Sequence, residues 1–198
     1  MINYIYIDVI IIICFVDKTV LITLEPLDIE KHARGYFAVS QDENIHKYTG
    51  NSVPQNVDEI VLLLKKYENY FLNWMIVSND THEVIGIIRL GKPEMENGVL
   101  VAGESQFLSS KYWRKGHMKE AKRLFYQYVF DVLAVDILYA DVWEGNINSM
   151  RSLEFYGYRL VDTTDEIFSK TGELKKKFIY ALSRDSYRRH IGDTRLGQ

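Results

Sequence analysis

The sequence is short of most of what specialised scaffolds require. It has a single cysteine, Cys14, so no internal disulfide or thiolate metal cage can be built within the chain. A reducing, cytoplasmic setting is the expectation. Three prolines and 12 glycines exclude collagen-like and low-complexity structure. Positive charge is not in excess: 24 Lys and Arg stand against 27 Asp and Glu, which argues against a dedicated nucleic-acid binder. The five histidines form no metal-ligand pattern, so no metal site is expected. No apolar run reaches the roughly 20 residues of a membrane span. The longest candidate, residues 1–16, is interrupted by Asp8 and closed by Asp17 and Lys18, and it lacks the basic start and small-residue end of a secretory signal.

What remains is an ordinary globular chain of 198 residues, 47% hydrophobic, long enough for one domain with its own core. Its aromatic content, 13%, reads as a tyrosine-rich core and surface. Residues 1–16 read as an apolar extension that adds a strand or mediates self-association, with a homodimer as one outcome. The domain proper is expected over 17–190, with a polar tail at 191–198.

Residues 20–24 suit a short strand and Leu27-Asp28 opens a helix on the spacing of Ile29, Ala33, Tyr36 and Phe37. Asn56 with Glu59 three residues on resembles a capping box, and the helical spacing behind it runs to about residue 72. Residues 74–78, 84–90 and 99–108 predict three strands of an antiparallel meander, with 92–98 as a turn. A long helix is expected over 112–134, a strand over 136–143, a short helix over 146–156 stopped by Gly157, and two final strands near 158–161 and 177–183. The order β-α-α-β-β-β-α-β-α-β-β is that of an α+β, or mixed α/β, sheet with helices on its faces.

One segment stands apart. In a net acidic chain, residues 111–123 carry Lys111, Arg114, Lys115, Lys119, Lys122 and Arg123 against one acid, Glu120. Cations at the start of a helix oppose its macrodipole, so helix stability gives no reason to gather them there. A bound anion does: free N–H groups, the positive helix end and nearby basic side chains make a phosphate cradle, and Gly116 permits close backbone approach. The spacing is neither that of a P-loop nor of the dinucleotide fingerprint.

The run Tyr112-Trp113-Arg114-Lys115-Gly116-His117-Met118-Lys119-Glu120-Ala121 resembles the acetyl-CoA-binding motif of the GNAT N-acetyltransferases, most closely the ribosomal-protein (RimJ/RimL-like) branch. About thirty residues later, Asn146 to Tyr158 resembles the family's Asn-x-x-Ser-x-x-x-Leu-Glu-x-x-Gly-Phe. A weaker match, Leu21 to Leu27, is similar to the family's opening strand. The likeness spans about residues 17–185. Two departures stand out: Met118 replaces the family's Gly or Ala, and Arg114 replaces the branch's Gly.

The resemblance implies a central, mostly antiparallel twisted sheet with helices on both faces, binding acetyl-CoA as co-substrate. It places the pantetheine arm on the backbone of Phe107 and Leu108 and the pyrophosphate on the N–H groups of Arg114, Lys115, Gly116, His117, Met118 and Lys119. Asn146 and Ser149 would lie across the cleft near the thioester. Catalytic candidates are Glu104 as general base, with Asp165 and Glu166 behind it, and Ser149 or Tyr156 as acid for the departing thiolate. His117 reads as a solvent-exposed loop histidine. The expected reaction is direct acetyl transfer to a primary amine, either a protein N-terminus or a small molecule such as a polyamine, a class the mild acidity suits. The alternative is a non-catalytic acyl-CoA-binding or sensing domain on the same scaffold. Neither nucleic acid nor membrane is an expected partner.

Overall fold

The computed structural model describes residues 20–49 and 52–196. The apolar extension at 1–16 lies outside the described residues. A sheet of eight strands is formed by β1 (Ile22–Pro26), β2 (Phe71–Ser78), β3 (Val84–Gly91), β4 (Glu94–Glu96), β5 (Val99–Leu108), β6 (Ile137–Trp143), β7 (Arg159–Phe168) and β8 (Glu173–Ser183). Its order is β1-β2-β3-β5-β6-β8-β7, with β4 attached to β5. Every neighbouring pair is antiparallel except β5 with β6.

Helices cover both faces. On one, α1 (Ile29–Ser40) and α3 (Val57–Glu68) bury Ala33, Tyr36, Ile60 and Leu64 against Met75, Val77 and Ile87. On the other, α4 (His117–Gln127) and α5 (Ile147–Phe155) pack Phe125, Tyr126, Leu153 and Tyr156 against Ile88, Leu90, Ala102 and Leu138. This is the mixed, mostly antiparallel architecture expected from the sequence.

Several elements differ from the sequence reading. The helix expected to reach residue 72 stops at Glu68, and Phe71 opens β2. The Asn56 side chain caps α3 through the Glu59 N–H, but the Glu59 carboxylate returns to the N–H of Gln55, one residue before the capping-box position. The connection at 92–98 contains β4. The helix expected over 112–134 is broken: a 3₁₀ turn at Ser110–Tyr112, a loop, α4, then a π-helical turn at Tyr128–Val132. Positive φ at Arg114 (59°) and Gly116 (88°) makes the break, since a right-handed helix cannot pass through either conformation.

The last two strands run to 10 and 11 residues because opposite charges face each other along the hairpin. Lys176 reaches Asp165 at 3.5 Å and Lys177 reaches Glu166 at 3.4 Å, so residues of turn-like composition lie in a ladder. A final helix, α6 (Arg184–Leu196), takes in most of the stretch expected as a polar tail.

A short helix, α2 (Glu43–His46), ties the α1–α3 connection to the end of β5. Asp42 caps it through the Asn44 N–H, and its second oxygen accepts the Ser110 N–H at 2.6 Å. Burial opposes ionisation of Asp42, but the Ser110 and Asn44 donors outweigh it and hold the carboxyl below its usual range. Asp42→Ala removes a helix cap and a strand-end contact together, and is expected to cost about 1–2 kcal/mol in urea unfolding at pH 7. The difference from wild type should fade as pH falls through the depressed Asp42 pKa, because a protonated carboxyl no longer favours the fold.

Candidate active site

The organising feature is a fork between β5 and β6. Their parallel pairing covers only Val101, Ala102 and Gly103, opposite Ile137, Leu138 and Tyr139. Among the described residues β5 pairs only with β3 from Glu104 onward. The Ser109 N–H bonds to Ile85 O on β3, so by two-residue alternation the backbone groups of Phe107 also face β3, while those of Gln106 and Leu108 face the fork. This corrects one expectation: Phe107 offers no free backbone groups to a ligand strand, and Gln106 takes its place. The Leu108 carbonyl accepts the Trp113 indole N–H at 2.7 Å, which leaves its N–H for a ligand.

The loop after β5 leads to the start of α4. The other helices with described caps, α1, α2, α3 and α5, are closed by Asp28, Asp42, Asn56 and Asn146. No side chain caps α4, where left-handed Gly116 stands at the N-cap. The first N–H groups of α4 therefore stay open beside exposed Arg114, Lys115 and Lys119, which is the arrangement an anion needs. A Cβ on Gly116 would meet Leu21 Cδ1 at 3.2 Å in a backbone conformation that L-residues rarely adopt. Met118 is partly buried and packs against the core cluster of Ile22, Ile76, Ile85, Leu108 and Ala121. His117 is half-buried, its ring set edge-on to Tyr112 at 5.1 Å. Burial and neighbouring Lys115 lower its pKa.

Across the fork, the Asn146 side chain caps α5 through the Ser149 N–H at 3.2 Å, and Ser149 is half-buried. Tyr156 stands between α5 and α4 and donates its hydroxyl to Lys119 O at 3.4 Å. Burial, with Glu104 as the next contributor, pushes its phenol pKa well up. It is a protonated group on the α4–α5 side of the sheet.

Glu104 is not where a general base would stand. Even-numbered β5 side chains face α4, so Glu104 is buried in the core. Its carboxylate accepts the Tyr126 hydroxyl at 3.0 Å and lies 3.6 Å from Lys122 Nζ, both charged side chains being fully shielded from solvent. Burial pushes the Glu104 carboxyl up and the Lys122 ammonium down, each partly opposed by the other. The pair fastens α4 to β5 where the fork opens. Asp165 and Glu166 sit on the β7–β8 hairpin in ion pairs with Lys176 and Lys177, away from the fork's backbone.

The sequence reading passed over two buried residues on the opposite face. Arg89 lies among Tyr36, Tyr67 and Phe107. His46, in α2, bonds Ser40 O through Nε2 at 2.6 Å and leaves Nδ1 without a partner. The signal for Arg89 was legible: one charge inside the apolar run VIGIIRL. Among the described residues no three His, Cys, Asp or Glu side chains converge as metal ligands would.

Glu104→Gln should destabilise the protein by about 3–5 kcal/mol, since it strands a buried ammonium while keeping the acceptor for Tyr126. Adding Lys122→Met should recover most of the loss. In the single variant stability should rise between pH 7 and 9, by at most about 1.4 kcal/mol per unit, because the unfolded lysine holds its proton where the buried one releases it. Urea titrations at several pH values read both effects.

Comparisons with known proteins bear on this geometry. The model of the acetyltransferase (GNAT) domain matches residues 22–159, from β1 to the first residue of β7. Among curated proteins no match was found. A GCN5-related N-acetyltransferase from Brucella melitensis is 24% identical, with 86% of this chain and 79% of that one covered at a TM-score of 0.75. The spermidine N-acetyltransferase of Vibrio cholerae, solved with CoA and spermine, is 18% identical over 85% of this chain and 98% of its own, at 0.72. A GNAT-family acetyltransferase from Bacillus anthracis is 17% identical over 83% and 96%, at 0.71. With its forked sheet and open helix start inside the matched span, the chain belongs to the GNAT acetyltransferase family.

Proposed function

We propose that the protein is an acetyl-CoA-dependent N-acetyltransferase that passes the acetyl group directly to a primary amine. The observation that carries this reading is the half-strand of β5 left without a neighbour beside an uncapped α4. Unpaired backbone groups of that kind demand a partner, and an extended amide-containing arm ending in a pyrophosphate supplies one. Leu108 and Gln106 would pair with the pantetheine, and the N–H groups of α4 with Arg114, Lys115 and Lys119 would hold the phosphates. Met118 packs against the core. Acetyl-CoA supplies an activated acyl group on a thiol of pKa about 8.5, so its thiolate leaves with modest assistance.

The protein's own groups then have three tasks. The first is positioning, which a fork open on both faces serves: cofactor from the α4–α5 side, acceptor from the α1–α3 side. The second is a proton for the thiolate, for which Tyr156 is one candidate, its ring 5.0 Å from the Lys122 ammonium that pairs with Glu104 where the fork opens; Ser149 is the second candidate. The third is removal of a proton from the amine, whose pKa is about 10.4 for an alkyl ammonium and 7.7–8.0 for an α-amino group. Burial of Glu104 on the cofactor face moves this role to the acceptor face. There His46 is the candidate: its Nε2 donates to Ser40 O, and its buried Nδ1 has no partner among the described residues, so an acceptor amine would have to displace its cover to use it. Membership of the ribosomal-protein (RimJ/RimL-like) branch rests on the 112–121 motif alone.

Gly116→Val should abolish measurable CoA binding by calorimetry while far-ultraviolet dichroism shows the fold retained. Tyr156→Phe should bind CoA normally and lose about ten- to a hundred-fold in kcat. Release of free thiol from acetyl-CoA in the presence of an amine panel tests the reading itself. Tight CoA binding with no turnover of any amine would instead mark a domain that binds acyl-CoA without reacting it.

A further inference from the structure

Arg89 is a permanent cation in an apolar setting, and nothing acidic among the described residues meets it. It is 6% exposed and forms no ion pair among the described residues. Its guanidinium lies 4.2 Å from the Tyr67 ring centroid, 5.6 Å from Phe107 and 5.9 Å from Tyr36. One amino group donates to the Tyr36 hydroxyl, and Nε has no partner. Rings attract a cation but accept none of its five directed protons well. A shielded charge without a counter-charge is costly, and proteins pair such charges or use them.

The surroundings are those of a recognition site. Directly across β3–β2 stands Asn73, 7% exposed, whose amide nitrogen is engaged by Phe71 O and whose Oδ1 has no partner. Directly across β3–β5 stands exposed Ser105. Tyr36 accepts from Arg89, so its own proton is free to be given, and burial pushes its phenol pKa up to about 12, which keeps that proton in place. One step along the same face a side chain at Gly103 would enter open space, beside a cleft of about 390 Å³ whose lining includes Gly91, Gly103 and Tyr139 with Lys92, Glu94 and Glu96, and which adjoins Arg89 without including it. Arg89, Ser105 and Phe107 share the face opposite Glu104, which is the acceptor side of the fork.

We propose that Arg89, with the Tyr36 hydroxyl, binds a carboxylate carried by the amine acceptor, so that the substrate class is the small amino acids. A planar guanidinium matches a carboxylate in two parallel hydrogen bonds. Arg89 stands one strand away from β5, whose other edge is the fork. Amine and carboxylate are therefore separated by no more than about two strand spacings, roughly 10 Å. A polycation such as spermidine has no group for this site. The inference rests on the acetyl-transfer reading and narrows it.

The test uses the full chain with saturating acetyl-CoA and acceptors matched except for the carboxylate: γ-aminobutyrate against propylamine, β-alanine against ethylamine, with spermidine as the cationic comparator. The carboxylate-bearing member of each pair should be preferred about ten-fold or more in kcat/KM. Arg89→Met should erase the preference through KM while CoA affinity is unchanged, and Arg89→Lys should restore part of it. Active enzyme that prefers the plain amines or spermidine overturns the carboxylate site and leaves acetyl transfer standing. So does an Arg89→Met variant with altered thermal stability and unaltered acceptor ranking, since that result makes Arg89 a packing residue. If no amine is acetylated, the transfer reading fails by itself. Calorimetry with γ-aminobutyrate then decides the site: binding lost in Arg89→Met upholds it, and no binding to wild type overturns it.

Discussion

The structure turns on a strand that has only half a neighbour. Parallel pairing of β5 with β6 ends at Gly103, yet β5 continues five residues further along β3. A buried backbone edge is expensive to leave open, so the gap must be defended on either side until a ligand closes it. On one side the Glu104–Lys122 pair and the Tyr126 hydroxyl fasten α4 to β5. At the far end the Trp113 indole takes the Leu108 carbonyl, and Asp42 takes the Ser110 N–H. These contacts hold the fork apart without filling it. A buried ion pair contributes little net stability, so its worth here lies in the geometry it fixes.

Alternation along β5 then divides the chemistry. Even-numbered side chains look toward α4 and α5, odd-numbered ones toward α1 and α3. The open start of α4 and Tyr156 belong to the first face, Arg89, Phe107 and the α1–α3 connection to the second. In the proposed reading this two-residue period separates cofactor from acceptor while the backbone between them serves both. Acetyl transfer across such a fork needs few strongly activated groups: the thiolate is a fair leaving group, and the burden falls on alignment and on a neutral amine.

The same period explains what could be read in advance. Strand order, the helix starts at Asp28 and Asn56, and the stop at Gly157 were legible, because apolar spacing and local caps write them into short stretches. The open start of α4 stood out for an opposite reason, since basic residues there contradict helix stability, although Lys122 proves to belong to the buried pair with Glu104 and Arg123 to an ion pair with Glu120. The β7–β8 hairpin was not, since its Asp, Thr and Lys residues earn their place only through a partner strand. Glu104 shows where single residues mislead. Its position at the fork suggested a base, but its phase with Ala102 and Leu108 places it in the core. Phe107 fails in the same way, one residue out of phase with the fork's open edge. Arg89 was visible as one charge in an apolar strand, but its setting was not, because Tyr36 and Tyr67 reach it from two separate helices.

Amide hydrogen exchange read by NMR tests the central claim most directly. If β5 completes its pairing with the pantetheine of CoA, adding CoA should slow exchange at the Gln106 and Leu108 amides and leave Phe107, already bonded to β3, unchanged. CoA binding with no added protection at Gln106 and Leu108 would contradict the account, because the ligand would then not occupy the fork.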